Sequence, residues 1–213
     1  MLIVHHLGKS QSERVVWLCE ELAIDYQLKC YVRNAVNMLA PPELRAVGVA
    51  GTAPMMTDGD VVIAESGAIV QYIIAKYGDG RLALGAGHPD FAQYLYWFHF
   101  ANGNIQLHMG RNMMLNKLDL AKDNPVLLSA RERLERAFNL VETRLGKVPY
   151  FAGSEFTAAD IMNVFSLTTM RYFTPVDLTP YPNIRAYLQR MGQRQAYRAA
   201  MKKGDPDMPL LLT

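Results

Sequence analysis

Three short stretches in the first third of the chain carry groups suited to a charged, nucleophilic ligand. Ser10 lies in the polar run Gly8-Lys9-Ser10-Gln11-Ser12, between a β-rich segment and a helical one. A hydroxyl there can donate a hydrogen bond to an anion, at a place where free helix amides and the dipole already favour negative charge. For a bound thiol that bond favours the thiolate, which is the nucleophilic form. Pro54 follows Ala53 and opens a strand-like run. A cis bond between them would turn the Ala53 amide and carbonyl outward, toward an extended peptide adding like a strand to a sheet edge. Glu65-Ser66 ends a strand and starts a helix. The carboxylate can pair with an ammonium, while the Ser66 hydroxyl and amide take a carboxylate. Singly, these are a loop serine, a strand-opening proline and a helix cap. In chain order they describe a site for a zwitterionic thiol peptide.

The elements that must position these groups follow from periodicity. Leu2 to His6 reads as a strand, and Val15, Val16, Cys19 and Leu22 fall at helical spacing after Ser12, a natural N-cap. A second strand is expected over Tyr26 to Val32, and a short helix from Pro42 through Glu43 to Val47. Asp58-Gly59-Asp60 turns a hairpin into the strand Val61 to Ala64, and Ser66 then caps a helix with Ile69, Val70, Ile73, Ile74 and Tyr77 on its apolar face. The order βαβ, short helix, ββα is an α/β thioredoxin-like arrangement, a small mixed sheet with helices on both sides.

Gly78-Asp79-Gly80 stops that helix, and beyond it the strand signals disappear. We expect a first domain over 1–80, a linker over 81–88 and an all-helical domain over 89–213. Its helices are expected from about Pro89 to Leu118, from Pro125 to Leu145, from Thr157 with Asp160 closing a capping box, and after Pro182 and Gln195.

Composition narrows the partners. The 213 residues are 50% apolar and 20% charged with a net charge of +2, so neither a nucleic acid nor an anionic membrane is favoured. The N-terminal Met1-Leu2-Ile3-Val4-His5-His6 lacks the features of a secretory signal, and a cytoplasmic location is expected. Cys19 and Cys30 form no CxxC pair and are expected as buried, inert thiols. No metal is expected, because the five histidines show no ligand spacing beyond His5-His6, whose side chains face opposite sides of a strand.

The segments Ser10-Gln-Ser-Glu-Arg-Val-Val-Trp-Leu-Cys-Glu-Glu-Leu, Gly51-Thr-Ala-Pro-Met-Met-Thr-Asp-Gly-Asp and Glu65-Ser-Gly-Ala-Ile-Val-Gln-Tyr-Ile resemble the three N-terminal signatures of cytosolic glutathione transferases. Phe156-Thr-Ala-Ala-Asp-Ile and Tyr181-Pro-Asn-Ile-Arg-Ala-Tyr resemble that family's helical-domain marks, so the likeness runs nearly the full length. It implies a serine-type enzyme in which Ser10 hydrogen-bonds the glutathione sulfur. Thr52, Ala53 and Pro54 would hold the cysteinyl and glycyl portions, and Glu65 and Ser66 the γ-glutamyl end. Glutathione would be the co-substrate, a small hydrophobic electrophile its partner, and the assembly a homodimer. Three positions depart from the pattern: Thr52 stands where similar members carry Lys or Gln, Gly48-Val49 where Asn-Pro or His-Pro is usual, and Asn102 where an acid is frequent.

For the electrophile, His99, Asn102, Gln106, Met109 and Met113 fall three and four apart, on one face of the long helix, with His108 and Arg111 nearby and Tyr172 from a later helix. The leading reading is conjugation of glutathione thiolate to hydrophobic electrophiles. The alternatives are glutathione-dependent peroxide or disulfide reduction, and a binding protein of the same fold with little turnover.

Overall fold

The computed structural model describes residues 1–213 and divides into two compact units. The first comprises Met1–Ala83 with Gly192–Pro209, the second Leu84–Met191 with Leu210–Thr213. The expected boundary at 89–213 is thereby corrected at its far end, because the last helix is built into the first unit.

In the first unit, strands β1 (Leu2–Leu7), β2 (Gln27–Tyr31), β3 (Met55–Asp58) and β4 (Val61–Ala64) form one sheet in the order β2-β1-β3-β4. β1 runs parallel to β2 and antiparallel to β3, and β3 turns into β4 at Gly59, whose φ of 60° suits a residue without a Cβ. Helix α1 (Glu13–Leu22) buries Val15, Val16, Leu18, Cys19 and Leu22, and α3 (Ser66–Tyr77) buries Ile69, Val70, Ile73 and Ile74. The short α2 (Pro42–Arg45) places Leu44 in a cluster with Leu7, Tyr31, Ala40 and Met55, against which Ala53 packs.

The C-terminal helix α9, Gln195–Gly204, lies on α1. The Trp17 and Tyr197 rings meet edge-on with centroids 4.8 Å apart, and Trp17 Nε1 donates to Glu21 Oε1 at 2.8 Å. Arg194 reaches both oxygens of Glu21, at 2.6 and 2.8 Å, and Lys203 donates to Glu20 at 2.6 Å. The apolar periodicity of α1 that predicts a helix also hides a second covered side, which α9 supplies.

Asp58, at the end of β3, accepts from Tyr72 at 2.9 Å, Lys76 at 2.6 Å and Tyr77 at 2.6 Å, all on α3. The Lys76 and Tyr77 hydrogen bonds hold its carboxyl well below the usual carboxylate range. A depressed folded pKa stabilises above the unfolded value of about 3.9 and is lost as pH falls through the folded one. Asp58→Asn should therefore melt earlier than wild type at neutral pH, with the gap closing below about pH 4; thermal melts across that range check it, and a gap independent of pH would contradict the assignment.

The second unit contains no strand. Its helices are α4 (Phe91–Phe100), α5 (Gln106–Leu115), α6 (Pro125–Leu145), α7 (Ala158–Leu167) and α8 (Pro182–Gln193); all ten residues of α7 are buried, and α4 packs against it. Trp97, Phe151 and Tyr187 meet in series, tilted and then edge-on, with centroids 5.1 and 5.3 Å apart. Thr157 and Asp160 form the expected capping box. No helix is long and apolar enough to cross a membrane.

Two expectations are overturned locally. The helix from Pro89 to Leu118 is not continuous, because Ala101–Ile105 forms a π turn between α4 and α5. Asn102-Gly103-Asn104, poor helix formers, sit in that turn, and its wider winding displaces everything after it by one position relative to a straight helix. Cys30 is exposed on β2, an edge strand of the sheet, whereas Cys19 is buried. Burial pushes the Cys19 thiol up to about 12.

Candidate active site

The loop leaving β1 places Ser10 at the start of α1, buried at 6% exposure. Its Oγ lies 2.7 Å from Ser12 Oγ and accepts from the Ser12 amide at 3.3 Å, while its carbonyl accepts from Glu13 N–H at 3.1 Å. Ser12, expected as a capping hydroxyl, makes no side-chain cap bond. Its fully buried Oγ turns back to the strand, accepting from Leu7 N–H at 3.2 Å and lying 2.9 Å from His6 Nδ1. His6 Nε2 in turn stands 3.1 Å from Asp205 Oδ2, just beyond α9. Asp205 also accepts the Lys9 amide on both oxygens, at 3.0 and 3.2 Å. Sequence reasoning missed His6 and Asp205, which lie 199 positions apart. The one available signal was a histidine on the core face of β1.

Two glycines leave room for this arrangement. A Cβ on Gly204 would fall 2.9 Å from His6 Nε2, and one on Gly8 would fall 3.0 Å from Asp205 Oδ1. Both close approaches are to the same His6–Asp205 pair.

The Ala53-Pro54 bond is cis. The β3 ladder begins at Met55, so the Ala53 amide and carbonyl lie beyond it, on a segment seated by the Leu44 and Met55 cluster. Thr52 is exposed beside it. Gly48 is held close to β4, where an added Cβ would meet Val62 Cγ1 at 3.0 Å, and Val49 is fully exposed.

Glu65 is exposed and takes a φ of 69°, a left-handed conformation that costs a residue with a Cβ about 1–3 kcal/mol. It occupies the position before α3 without a side-chain cap, and buried Ser66 is the first helical residue. Ser66 Oγ donates to Gln11 Oε1 at 3.3 Å and accepts from Arg14 Nη1 at 3.1 Å, while Arg14 also donates to Gln11 at 2.9 Å. Gln11 and Arg14 thus join the Ser10 loop to the start of α3. Burial pushes the Arg14 guanidinium down, to about 9, against the opposing pull of Glu13, and it stays cationic at neutral pH.

The candidates in the second unit are less uniform than their spacing predicts. His99 on α4 is exposed, Asn102 in the π turn is half-buried, and Gln106 and Met113 on α5 are half-buried. Met109 is fully buried in the helical core, where its carbonyl accepts from Thr174 Oγ1 at 3.2 Å. Tyr172 ends a 3-10 turn over Thr169–Tyr172 and is 36% exposed. His108 is pushed down by burial and then by Arg111, Arg133 and Arg136. The π turn is the reason one continuous face does not carry from His99 to Met113.

The same architecture recurs among known proteins. The family model "Glutathione S-transferase, N-terminal domain" matches residues 10–76, and "Glutathione S-transferase, C-terminal domain" matches residues 92–195. The crystal structure of a glutathione S-transferase from Actinobacillus pleuropneumoniae is 30% identical, with 96% of this chain and 93% of that one aligned at a TM-score of 0.88. Glutathione S-transferase 3 of Schizosaccharomyces pombe is 29% identical over 95% of this chain and 88% of its own length. A glutathione transferase family member from Pseudomonas fluorescens, solved with two glutathione bound, shares the fold at a TM-score of 0.79 and 20% identity, covering 94% of this chain and 92% of its own. With both domain models matched in order and a full-length relative at 30% identity, the chain belongs to the glutathione S-transferase family.

Proposed function

We propose that the chain is a serine-type glutathione transferase, in which Ser10 stabilises the thiolate of bound glutathione for attack on a hydrophobic electrophile. One observation carries this reading. Buried Ser10 opens α1, and Gln11 and Arg14 tie that helix to Ser66 at the start of α3. Glutathione bound between the Ala53 backbone and the Glu65-Ser66 turn would have its γ-glutamyl ammonium near Glu65 and its carboxylate on Ser66 and the α3 amides. Its sulfur would then meet Ser10, where a hydroxyl and the α1 dipole both favour the anion. Rate enhancement follows from thiol ionisation and from holding the two reactants close.

Gln106 and Met113 are the electrophile-facing residues of this proposal, with Met113 the adaptable apolar contact. A homodimer and a reducing, cytoplasmic setting belong to the same reading, and exposed Val49, Val61 and Val62 offer the first unit an apolar surface for a partner copy.

The test is a pH titration of the ultraviolet thiolate absorbance of bound glutathione. A free thiol of this kind ionises near ~8.5, and the wild type should lower that by about one unit or more, with Ser10→Ala returning toward the free value. Binding with an unshifted thiol would overturn the transferase reading. A lowered value that survives Ser10→Ala would remove Ser10 from its role. Exposed Thr52, which offers no cation to the glycyl carboxylate, favours the second reading of a binding protein with little turnover, and absent turnover with both an aromatic electrophile and a hydroperoxide would select it.

A further inference from the structure

With a neutral imidazole at His6, the donor and acceptor capacities of this polar chain give one arrangement of its protons. A carboxylate only accepts, so a neutral His6 bonded to Asp205 carries its proton on Nε2, 3.1 Å away. Its Nδ1 is then a bare acceptor, to which Ser12 Oγ donates at 2.9 Å in preference to the Leu7 carbonyl at 3.5 Å. With its own proton committed, Ser12 Oγ accepts from the Leu7 amide and from Ser10 Oγ–H, at 3.2 and 2.7 Å. In this resting state the Ser10 proton points inward to Ser12. A sulfur arriving at Ser10 therefore meets lone pairs, which accept the S–H proton and cannot yet stabilise a thiolate.

We infer that Ser10, Ser12 and His6 form a proton relay that takes the glutathione thiol proton inward to the His6 imidazole, with Asp205 holding the resulting imidazolium. This rests on the transferase reading and supplies the step that reading lacks. The S–H bond breaks, its electron pair stays on sulfur, and its proton goes to Ser10 Oγ. The original Ser10 proton passes to Ser12 Oγ, and the original Ser12 proton to His6 Nδ1. The products are a thiolate, an imidazolium against the Asp205 carboxylate, and three hydroxyl and imidazole donors all reversed. Ser10 O–H now points at the thiolate as the donor the proposed function requires. When the thiolate displaces a leaving group from the electrophile, the imidazolium proton returns through Ser12 and Ser10 to the departing anion or to water, and the resting polarity is restored.

Several observations mark the chain as built. His6 and Ser12 are 1% and 0% exposed, and every spacing is within hydrogen-bond range. Gly204 admits the imidazole and Gly8 admits the carboxylate. The charged and titratable groups facing His6 are few. Asp205 touches it, and the Cys30 thiol, its β2 register partner, is pushed up by burial and by Asp205, so it stays neutral. Arg33 lies on the far side of Asp205, donating to the Gly8 and Lys9 carbonyls at 2.8 and 3.1 Å. His5 on the same strand faces away, bonded to Tyr31 Oη at 2.9 Å.

His6 acts through Ser10, so it is a positioning residue, and the test must read its protonation directly. Nitrogen NMR of the full wild-type chain with isotopically labelled histidine should show His6 neutral with Nε2 protonated when no ligand is added. Glutathione should convert it to the doubly protonated form near neutral pH, whereas S-methylglutathione, which has no thiol proton, should leave it neutral. In Ser10→Ala, glutathione should also leave it neutral. His6→Gln, if folded, should raise the ionisation point of bound glutathione by about one unit, tenfold less thiolate, with little change in glutathione affinity. Bound glutathione that is ionised by its absorbance while wild-type His6 stays neutral overturns the relay and leaves the transferase reading intact. Failure of the wild type to bind or ionise glutathione overturns both.

Discussion

Asp160→Ala should lower the unfolding free energy by about 3–5 kcal/mol, with a fall in Tm of order 10 °C. Asp160 is fully buried and accepts four hydrogen bonds. Oδ1 takes Phe151 N–H at 2.9 Å and Tyr187 Oη–H at 3.0 Å; Oδ2 takes Thr157 N–H at 2.8 Å and its hydroxyl at 3.3 Å. Alanine removes the acceptor and leaves two backbone donors in an interior that water does not reach, each costing about 1–3 kcal/mol. It also opens the N-terminus of α7, around which the second unit is packed. Asp160→Asn keeps one carbonyl oxygen and should cost less. The pH dependence has the opposite sign to that of Asp58. Burial is the largest influence and raises the Asp160 carboxyl to about 6, against the lowering hydrogen bonds. A folded pKa above the unfolded value of about 3.9 stabilises most below that value and is lost as pH rises through about 6. Chemical denaturation of wild type, Asp160→Asn and Asp160→Ala across that window checks both the ranking and the sign. Equal stability of wild type and Asp160→Ala would show that the capping box carries no weight.

Trp17→Ala should cost the first unit about 3–5 kcal/mol, the ordinary penalty for deleting a large buried ring. Trp17 is 1% exposed, and its loss removes the edge-on contact with Tyr197 together with the bond to Glu21. The consequence reaches the Ser10 loop, because α9 leads into Asp205 and Asp205 holds both His6 and the Lys9 amide. Loosening α9 should therefore weaken glutathione binding as well as stability. Trp17→Phe, which keeps most of the ring volume, should recover the greater part of both. Equilibrium denaturation alongside a glutathione affinity measurement separates the cases, and an Ala variant with unchanged affinity would show that α9 does not support the loop.

The layout of the first unit was legible because its signals are local. Asp58-Gly59 marks a hairpin, Val15 to Leu22 marks a helix, and Ala53-Pro54 after Gly51-Thr52 marks the segment that carries the cis bond. Side-chain direction was not legible. Ser12 at a helix start reads as a cap, and only the placement of β1 beside it reveals that the hydroxyl serves His6 instead. Glu65 and Ser66 likewise read as a cap, yet Ser66 is claimed by Gln11 and Arg14 from another helix. The π turn was missed because uniform spacing assumes uniform winding. Cys30 was misplaced because alternation in a strand does not say which strand is at the edge. Strong amphipathicity in α9 announces that the helix has a partner, but not that the partner is encoded at the opposite end of the chain.

That last pairing bears on how the protein is made. Translation delivers the four strands and the first three helices before the helical unit, and α9 after it. Until α9 leaves the ribosome, the Trp17 side of α1 is bare and apolar, and the nascent first unit waits while the helical unit is produced behind it. The chain thus starts its first unit before the helical one and closes it afterwards, so a ribosome that stalls between α8 and α9 leaves an uncovered, adhesive surface on the first unit.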